Sequence, residues 1–216
     1  MAAHALNNYL TVTAATLEFL RLSLQSHPDP QIARYLLNLE HATDLMEHTV
    51  AQLMGISTGS PPTFMRQQVD LPRLMERACR YYQRLADQKQ IRLTCEAAIT
   101  PRTVRTDPVA LAAILDNLLS NAVKYSTPGQ RVWVRVERLP DRVICRVRDE
   151  GPGLSQEDQS RLFQAGVRLS TVPTGGEPSA GYGLAVAKEL ASQLGGDIWY
   201  EGQLGQGVYF AVSLPV

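Results

Sequence analysis

The stretch DNLLSNAVKYS, residues 116–126, carries two asparagines and a lysine at helical spacing. Asn117, Asn121 and Lys124 share one face of the predicted helix, and Tyr125 lies beside them. Amide oxygens suit Mg²⁺, and an ammonium group can pair with phosphate. The pattern indicates either a phosphate- and metal-binding face or an ordinary solvated face. A separate apolar row must face the core: Leu111, Leu115, Leu118 and Ala122.

A second polar segment, DEGPGL at 149–154, directly follows the predicted strand RVICRVR. Its two glycines flank a proline, which predicts a tight turn whose backbone can approach a ligand closely. Asp149 stands at the strand end, where it can accept a hydrogen bond from an exocyclic amine such as that of adenine. A plain strand-to-helix turn explains the same residues.

The third segment is the glycine-rich stretch GGEPSAGYGLAVAKEL at 175–190, which runs into a predicted helix. The N-terminus of a helix offers unpaired N–H groups and a positive dipole end to phosphate. Neither a Walker A loop nor a GxGxxG dinucleotide fingerprint is present. A flexible surface loop with an ordinary helix cap is the alternative interpretation.

Taken in order, these segments resemble the ATP-binding domain of sensor histidine kinases, in the ATPase superfamily shared with gyrase and MutL. DNLLSNAVKYS resembles that family's N box, DEGPGL its first glycine box and GYGLAVAKEL its second. RLFQAG at 161–166 resembles the F box, and GQGVYFAVSLP resembles the closing strand. The resemblance covers 107–216 and implies an α/β sandwich that binds ATP under a loop lid.

The resemblance implies a role for each polar residue of the N box. Asn121 would hold Mg²⁺, with help from Asn117. Lys124 would contact phosphate, and Tyr125 would contact the adenosine.

For the first glycine box, the resemblance implies recognition of the base. Asp149 would read the adenine amine, and Gly151 and Gly153 would shape its pocket. The sequence departs from the family at Val208, where a threonine is usual after glycine. One polar contact near the base would therefore be missing.

The second glycine box and the lid would contact the phosphates. The lid is expected over 164–180, with Arg168 as an additional phosphate contact. Tyr182 stands between two glycines where the family more commonly has leucine. The cofactor-binding residues implied for this box are Gly181, Tyr182, Gly183 and Leu184.

The first quarter of the chain has a different pattern, with apolar residues recurring at steps of three and four over 4–56. SHPDPQ at 26–31 interrupts it, and Pro28 and Pro30 there favour the end of one helix and the start of another. Two such helices form an αα-hairpin, which buries only one stripe on each helix. We therefore expect a homodimer in which two hairpins form a four-helix bundle.

Small polar residues and two prolines in STGSPPTF, at 57–64, predict a linker. The predicted organisation is a dimerisation and phosphotransfer hairpin over 1–57, a linker over 58–66 and an ATP-binding domain over 67–216. The fold class is α+β: an N-terminal αα-hairpin followed by a two-layer α/β sandwich. Helices are predicted at 71–88, 107–125 and 182–194, and strands at 91–97, 102–106, 131–138, 142–149, 197–201 and 207–214.

The resemblance also implies a phosphoacceptor histidine on the first hairpin helix, and His4 is the candidate. His4 lies at the corresponding distance before SHPDP and off the apolar row, so its imidazole can reach solvent. Asn8, one turn later, resembles the polar residue with which some members orient a water for dephosphorylating a partner. The next residue is Ala5, where the family commonly has an acid, and the sequence leaves open whether this abolishes kinase activity.

Composition narrows the class of protein. The 216 residues include 21 basic and 21 acidic side chains, which argues against nucleic-acid binding through bulk charge. No apolar run approaches the roughly 20 residues that span a bilayer. The three cysteines, Cys79, Cys95 and Cys145, lack a CxxC pair, so neither a disulfide framework nor a zinc site is expected. We expect a cytoplasmic chain.

The resemblance implies a two-component histidine protein kinase that binds Mg-ATP, phosphorylates His4 and passes the phosphoryl group to a response-regulator receiver domain. Two alternatives remain: a phosphotransfer or scaffold protein with a vestigial ATPase domain, and an anti-sigma-type serine kinase. The sequence leaves open the signal, the cognate regulator, cis or trans phosphorylation, and whether the chain is part of a longer sensor.

Overall fold

The computed structural model describes residues 12–13, 15–17, 19–20, 22–24, 32, 39, 43, 64–176, 181–202, 205 and 207–216. Two compact units result, Met1–Thr63 and Phe64–Val216. The described residues of the first unit are helical. Within it, the hydroxyl groups of Thr16 and Thr43 each donate to a backbone carbonyl one turn earlier. The predicted turn at 26–31 lies outside the described residues, and the hairpin stays a prediction.

The second unit alternates strands and helices. Its strands are β1 (Gln67–Asp70), β2 (Arg92–Glu96), β3 (Thr103–Thr106), β4 (Arg131–Arg138), β5 (Arg142–Asp149), β6 (Asp197–Glu201) and β7 (Val208–Pro215). Its helices are α1 (Leu71–Gln88), α2 (Pro108–Tyr125), α3 (Gln156–Arg161) and α4 (Gly183–Gln193). No helix among the described residues is both long enough and apolar enough to cross a membrane.

Five of the strands form one sheet in the order β2-β4-β5-β7-β6, while β1 and β3 form a separate antiparallel pair. β2 pairs with β4 in parallel, and the other neighbours in the sheet are antiparallel. Side chains of β4 alternate, since Val132 and Val134 are buried whereas Arg131 and Arg135 are exposed. The helices α1, α2 and α4 contact this sheet. The predicted mixed α/β fold is confirmed.

Helix α2 carries the N box and lies between α1 and α4. Its predicted apolar row, Leu111, Leu115, Leu118 and Ala122, is buried. The carboxylate of Asp107 caps its N-terminus by accepting from the backbone N–H groups of Val109 and Ala110, at 2.9 and 3.0 Å. The same carboxylate accepts from the N–H of Met65 at 2.8 Å, so residues 64–66 are attached where the N-box helix begins.

In the second unit, the predicted strands and helices all form, with ends that differ by at most one residue. Two elements were not predicted. β1 exists only as the partner of β3, and its sequence QQVD has no strand pattern of its own. α3 is a short helix that starts at the Ser155 cap, where the hydroxyl oxygen accepts from the N–H of Asp158 at 3.1 Å.

Candidate functional site

A pocket of about 370 Å³, partly open to solvent, lies where α2 and α4 meet the ends of β5 and β7. Its walls are mostly apolar, with an amide, a phenol and a carboxyl group among them. The lining residues are Asn121, Tyr125, Asp149, Pro152, Gly153, Leu154, Leu162, Leu169, Thr171, Leu184, Val208 and Phe210.

Asp149 is the buried acid of this pocket, with 3% of its surface exposed. It is the last residue of β5 and pairs in register with Val208 of β7. Its Oδ1 accepts from the N–H of Gly151 at 2.8 Å, and the backbone N–H of Val208 also donates to the carboxylate. Two neighbouring backbone groups therefore fix the direction in which this carboxyl faces.

The protonation of Asp149 is unusual. Burial raises its pKa to about 7, and the hydrogen bonds from Gly151 and Val208 act in the opposite direction. Near neutral pH the group is present in both forms. A ligand amine that donates to it would favour the ionised form.

The turn after Asp149 allows side chain and backbone to approach closely. A Cβ on Gly151 would lie 2.8 Å from Asp149 Oδ1 and 3.2 Å from the carbonyl oxygen of Tyr125. Gly153 has a positive φ of 74° and lines the pocket. Both glycines of the first box are thus required by the local geometry, while their contact with a ligand stays a prediction.

On α2, Asn121 and Tyr125 line the pocket, whereas Asn117 and Lys124 are not among its lining residues. The Nδ2 of Asn117 donates to the carbonyl of Ala113 at 2.9 Å, one turn earlier. Its Oδ1 faces Gly183 so closely that a Cβ there would collide with it. Asn117 therefore joins the N box to the start of α4.

A buried hydrogen bond from α1 also holds helix α2. The Tyr82 hydroxyl of α1 donates to Asp116 Oδ1 at 2.5 Å, and both side chains are buried. Because Asp116 precedes Asn117, this bond fixes the rotation of the N-box helix next to the pocket.

The four residues of the second glycine box each have a different position and different contacts. Gly181 has a φ of 76°, and a Cβ there would collide with the carbonyl of Val167. Tyr182 is 55% exposed and covers Gly166, whose added Cβ would lie 3.1 Å from the Tyr182 hydroxyl. Gly183 begins α4, and Leu184 lines the pocket. The tyrosine that replaces the commoner leucine thus packs on the lid, outside the pocket lining.

Ser170 and Thr174 attach the described part of the predicted lid, 164–176, to the rest of the domain. The Ser170 hydroxyl donates to Asp158 Oδ2, and its N–H donates to Oδ1 at 3.0 Å. The Ser170 hydroxyl is the main reason that the pKa of Asp158 is lowered. The Thr174 N–H donates to the carbonyl of Lys124 at 3.0 Å, and its hydroxyl proton is shared between the carbonyls of Lys124 and Ser126, at 3.0 and 2.7 Å. These bonds hold Leu169 and Thr171 against the pocket.

The roles predicted for Arg168, Lys124, His4 and Asn8 stay predictions. Arg168 is exposed and does not line the pocket, so its phosphate contact stays a prediction. Lys124 contributes its backbone carbonyl to the lid. His4 and Asn8 lie outside the described residues.

Sequence reasoning missed the lid anchors. Asp158 sits three residues after Ser155 in SQED, which is a capping pattern and could have located α3. Thr174 had no such signal, because its partners precede it by 48 and 50 residues.

Comparison with known proteins identifies the domain. Residues 106–216 match the family described as histidine kinase-, DNA gyrase B- and HSP90-like ATPases. The chain belongs to this family. Together with its relatives, the match makes this unit a histidine kinase ATPase catalytic domain.

The relatives found by sequence are sensor kinases. The chain is 34% identical over 156 residues to the sensor protein EvgS of Escherichia coli, which covers 69% of this chain and 13% of EvgS. It is 35% identical over 178 residues to the circadian input-output histidine kinase CikA of Synechococcus elongatus, covering 82% and 23%. The adaptive-response sensory kinase SasA of a Synechococcus species is 28% identical, covering 100% and 58%. The chain thus spans less than two thirds of each of these relatives.

Two solved structures have a fold similar to that of this chain. Full-length ShkA, in complex with AMPPNP, superposes with a TM-score of 0.68 at 25% identity, covering 99% of this chain and 45% of ShkA. The mycobacterial sensor histidine kinase MprB gives 0.59 at 26% identity, covering 69% and 97%.

Proposed function

We propose that this chain is the core of a two-component histidine protein kinase. It binds Mg-ATP in the pocket between α2 and α4, phosphorylates His4 and passes the phosphoryl group to an aspartate of a response regulator. The observation that carries the proposal is the buried Asp149 at the base of an apolar pocket, with the amide of Asn121 on its wall and an anchored lid beside it.

The base end suits adenine. Asp149 offers a carboxylate oxygen to the exocyclic amine, while Leu154, Val208 and Phe210 present apolar surface to the ring. Val208 gives the base end no side-chain hydroxyl, so recognition there rests on Asp149 and the backbone. Tyr125 would lie against the adenosine.

The side of the pocket that carries the Asn121 amide suits Mg²⁺ held jointly by protein and phosphate. Asn121 lines the pocket, and Asn117 turns its oxygen toward the start of α4 because its nitrogen is tied to a carbonyl. Mg²⁺ takes few protein oxygens beside nucleotide phosphates, which fits this donor set. When bound, Mg²⁺ would neutralise charge on the phosphates. Lys124 and the N–H groups of Gly181 and Gly183 would contact the same phosphates, with Arg168 reaching in from the lid.

Phosphoryl transfer then requires the hairpin. The neutral imidazole of His4 attacks the γ-phosphorus, a P–N bond forms, and the bond to the β-phosphate oxygen breaks to release ADP. As the P–N bond forms, the other ring nitrogen must lose its proton to solvent or to another residue, since Ala5 offers no base. Asn8 would orient a water during dephosphorylation of the partner.

Three further parts of the proposal concern assembly. Two hairpins form a four-helix bundle, so the kinase is a homodimer. A receiver domain docks near His4 to accept the phosphoryl group. We place the chain in the cytoplasm, where ATP and such receivers are available.

The test incubates the purified chain with Mg²⁺ and γ-labelled ATP, beside His4→Gln and Asp149→Asn. Label that is acid-labile and base-stable is expected on the unaltered chain. It should be absent from both variants, while His4→Gln still binds nucleotide.

Each other outcome has a meaning. Label that persists in His4→Gln would move the phosphoacceptor elsewhere, and acid-stable label would indicate a serine kinase. Nucleotide binding without any label would replace the kinase with the phosphotransfer or scaffold interpretation. Absence of nucleotide binding to the folded chain would overturn the proposal from its first step.

A further inference from the structure

We propose that Cys79 and Cys95 form a redox modification site, a dithiol that a peroxide converts into an intramolecular disulfide between α1 and β2. The site lies on the outer edge of the sheet, and none of its residues lines the nucleotide pocket. The inference goes beyond the proposed kinase activity and does not depend on it.

Cys79 lies on the buried side of α1. It is 5% exposed and belongs to a row at helical spacing that faces the sheet. That row consists of Leu71, Met75, Cys79, Tyr82 and Ala86. The thiol therefore points from the helix toward the strands rather than toward solvent.

Cys95 meets it from β2. In the parallel register, Cys95 is paired with Val134, which is 1% exposed under the helices. Cys95 thus shares the helix-covered face of the sheet. β2 is an edge strand, so Cys95 is only half buried and a small oxidant can reach it. The helix α1 packs against β2 here, and the two thiols are hydrogen-bond partners.

The contact makes the two sulfur atoms unequal. The hydrogen bond lowers the pKa of the Cys95 thiol and raises that of Cys79 well above its usual range. Arg80 lowers both pKa values and Glu76 raises both. Cys95 is therefore the better thiolate, and it is also the more accessible group. A thiolate of lowered pKa beside a second thiol is the arrangement of a redox-sensitive cysteine.

The reaction balances with hydrogen peroxide as the oxidant. The Cys95 thiolate attacks one peroxide oxygen, giving a sulfenic acid and, after protonation, one water. The Cys79 sulfur then attacks the sulfenic sulfur, the S–O bond breaks, and a second water leaves with the Cys79 proton. Two thiols lose two electrons in total, and the peroxide is reduced to water. Once Cys95 carries no negative charge, the largest cause of the raised pKa of Cys79 is gone, and burial and Glu76 are the causes that still raise it.

The third cysteine provides a matched control. Cys145 is fully buried in β5, and burial alone raises the pKa of its thiol to about 12. It is neither accessible nor hydrogen bonded to another cysteine in the part of the chain that the structure describes. It should stay reduced under conditions that oxidise the pair.

The experiment treats the purified full chain, without nucleotide, with a small excess of hydrogen peroxide. Intact mass and peptide mapping under non-reducing conditions follow the thiols. We expect a loss of two hydrogen atoms per chain, a linked pair of peptides containing Cys79 and Cys95, and full reversal by dithiothreitol. The disulfide should raise the thermal midpoint by about 5 °C, since it closes a short loop.

The variants assign the chemistry. Cys79→Ala should leave a Cys95 sulfenic acid that dimedone traps, whereas Cys95→Ala should give no labelled sulfur. Cys145→Ala should still form the disulfide. Because the unaltered chain is mapped directly, loss of stability in a variant does not obscure the result. Failure of the linked peptide to form while Cys95 is oxidised, or a disulfide between chains instead, would overturn the proposal.

Discussion

The pocket has a base end, around Asp149, where the adenine base is proposed to bind, and a lid end, around Thr174 and Tyr182. Different kinds of contact hold the two ends. At the base end, Asp149 is 3% exposed and two backbone N–H groups hold its carboxylate. At the lid end, Tyr182 is 55% exposed, and Thr174 holds the loop through hydrogen bonds to the carbonyls of Lys124 and Ser126 at the end of α2. Buried contacts between strands open only with the domain, whereas surface contacts of a loop open locally. Base selection therefore belongs to the rigid part, and nucleotide entry and exit belong to the lid.

The largest effect should follow from Asp149→Asn. The substitution keeps the shape but replaces one carboxylate oxygen with an NH2 group and removes the negative charge that the adenine amine would pair with, so nucleotide affinity should fall about 100-fold. Titration with a fluorescent ATP analogue measures this. His4→Gln serves as the control with unchanged affinity. Binding within a few-fold of the unaltered chain would mean that the base end does not select the base through this carboxyl.

The next largest effect should come from Gly183→Ala, at the close contact between α2 and α4. The added methyl group collides with Asn117 Oδ1, so we expect about tenfold weaker nucleotide binding and a thermal midpoint lower by about 5 °C. Adding Asn117→Ala removes the obstructing amide and should restore most of the thermal midpoint. If the second substitution restores nothing, the close contact between α2 and α4 is not the cause.

Ionisation of Asp149 should make both the stability of the domain and its nucleotide affinity depend on pH. Because the folded pKa of Asp149 is about 7 against 3.8 for an ordinary aspartate, the stability that this group contributes is present below about pH 4 and is lost as pH rises through 7. A donating adenine amine favours the ionised form. Nucleotide affinity should therefore rise about tenfold from pH 6 to pH 8, relative to Asp149→Asn at each pH.

The comparison with Asp149→Asn cancels the titration of the nucleotide phosphates. Thermal unfolding of the same pair without nucleotide should show the opposite trend. The unaltered chain should lose stability relative to the variant as the pH rises. Parallel profiles for both proteins would contradict a raised pKa at this position.

The smallest effect should follow from Thr174→Val in the lid. The variant keeps the shape but loses the hydroxyl bonds to Lys124 and Ser126, so nucleotide should dissociate about three- to fivefold faster. Stopped-flow displacement of a fluorescent nucleotide measures the rate. Val172→Ala, in the same exposed segment, is the control. Equal dissociation rates in all three proteins would mean that this anchor does not hold the lid.

Local pattern predicted much of the domain. The apolar row of α2, the alternation in β4 and the turn after Asp149 each follow from a few neighbouring residues, because helical and strand periodicity are local properties. The side of α2 that carries Asn121 follows from the same periodicity. The family relation then supplied roles that spacing alone left open.

The tertiary structure decided what distant residues do together. Asn117 turns its oxygen to Gly183, the lid is fastened by Thr174 to carbonyls about 50 residues earlier, and Cys79 meets Cys95 across a helix and an edge strand. No periodicity records such pairs, since each depends on how α1, α2 and α4 pack on the sheet. The raised pKa of Asp149 is of the same kind, because burial of a carboxyl group is a property of the packed domain and not of DEGPGL.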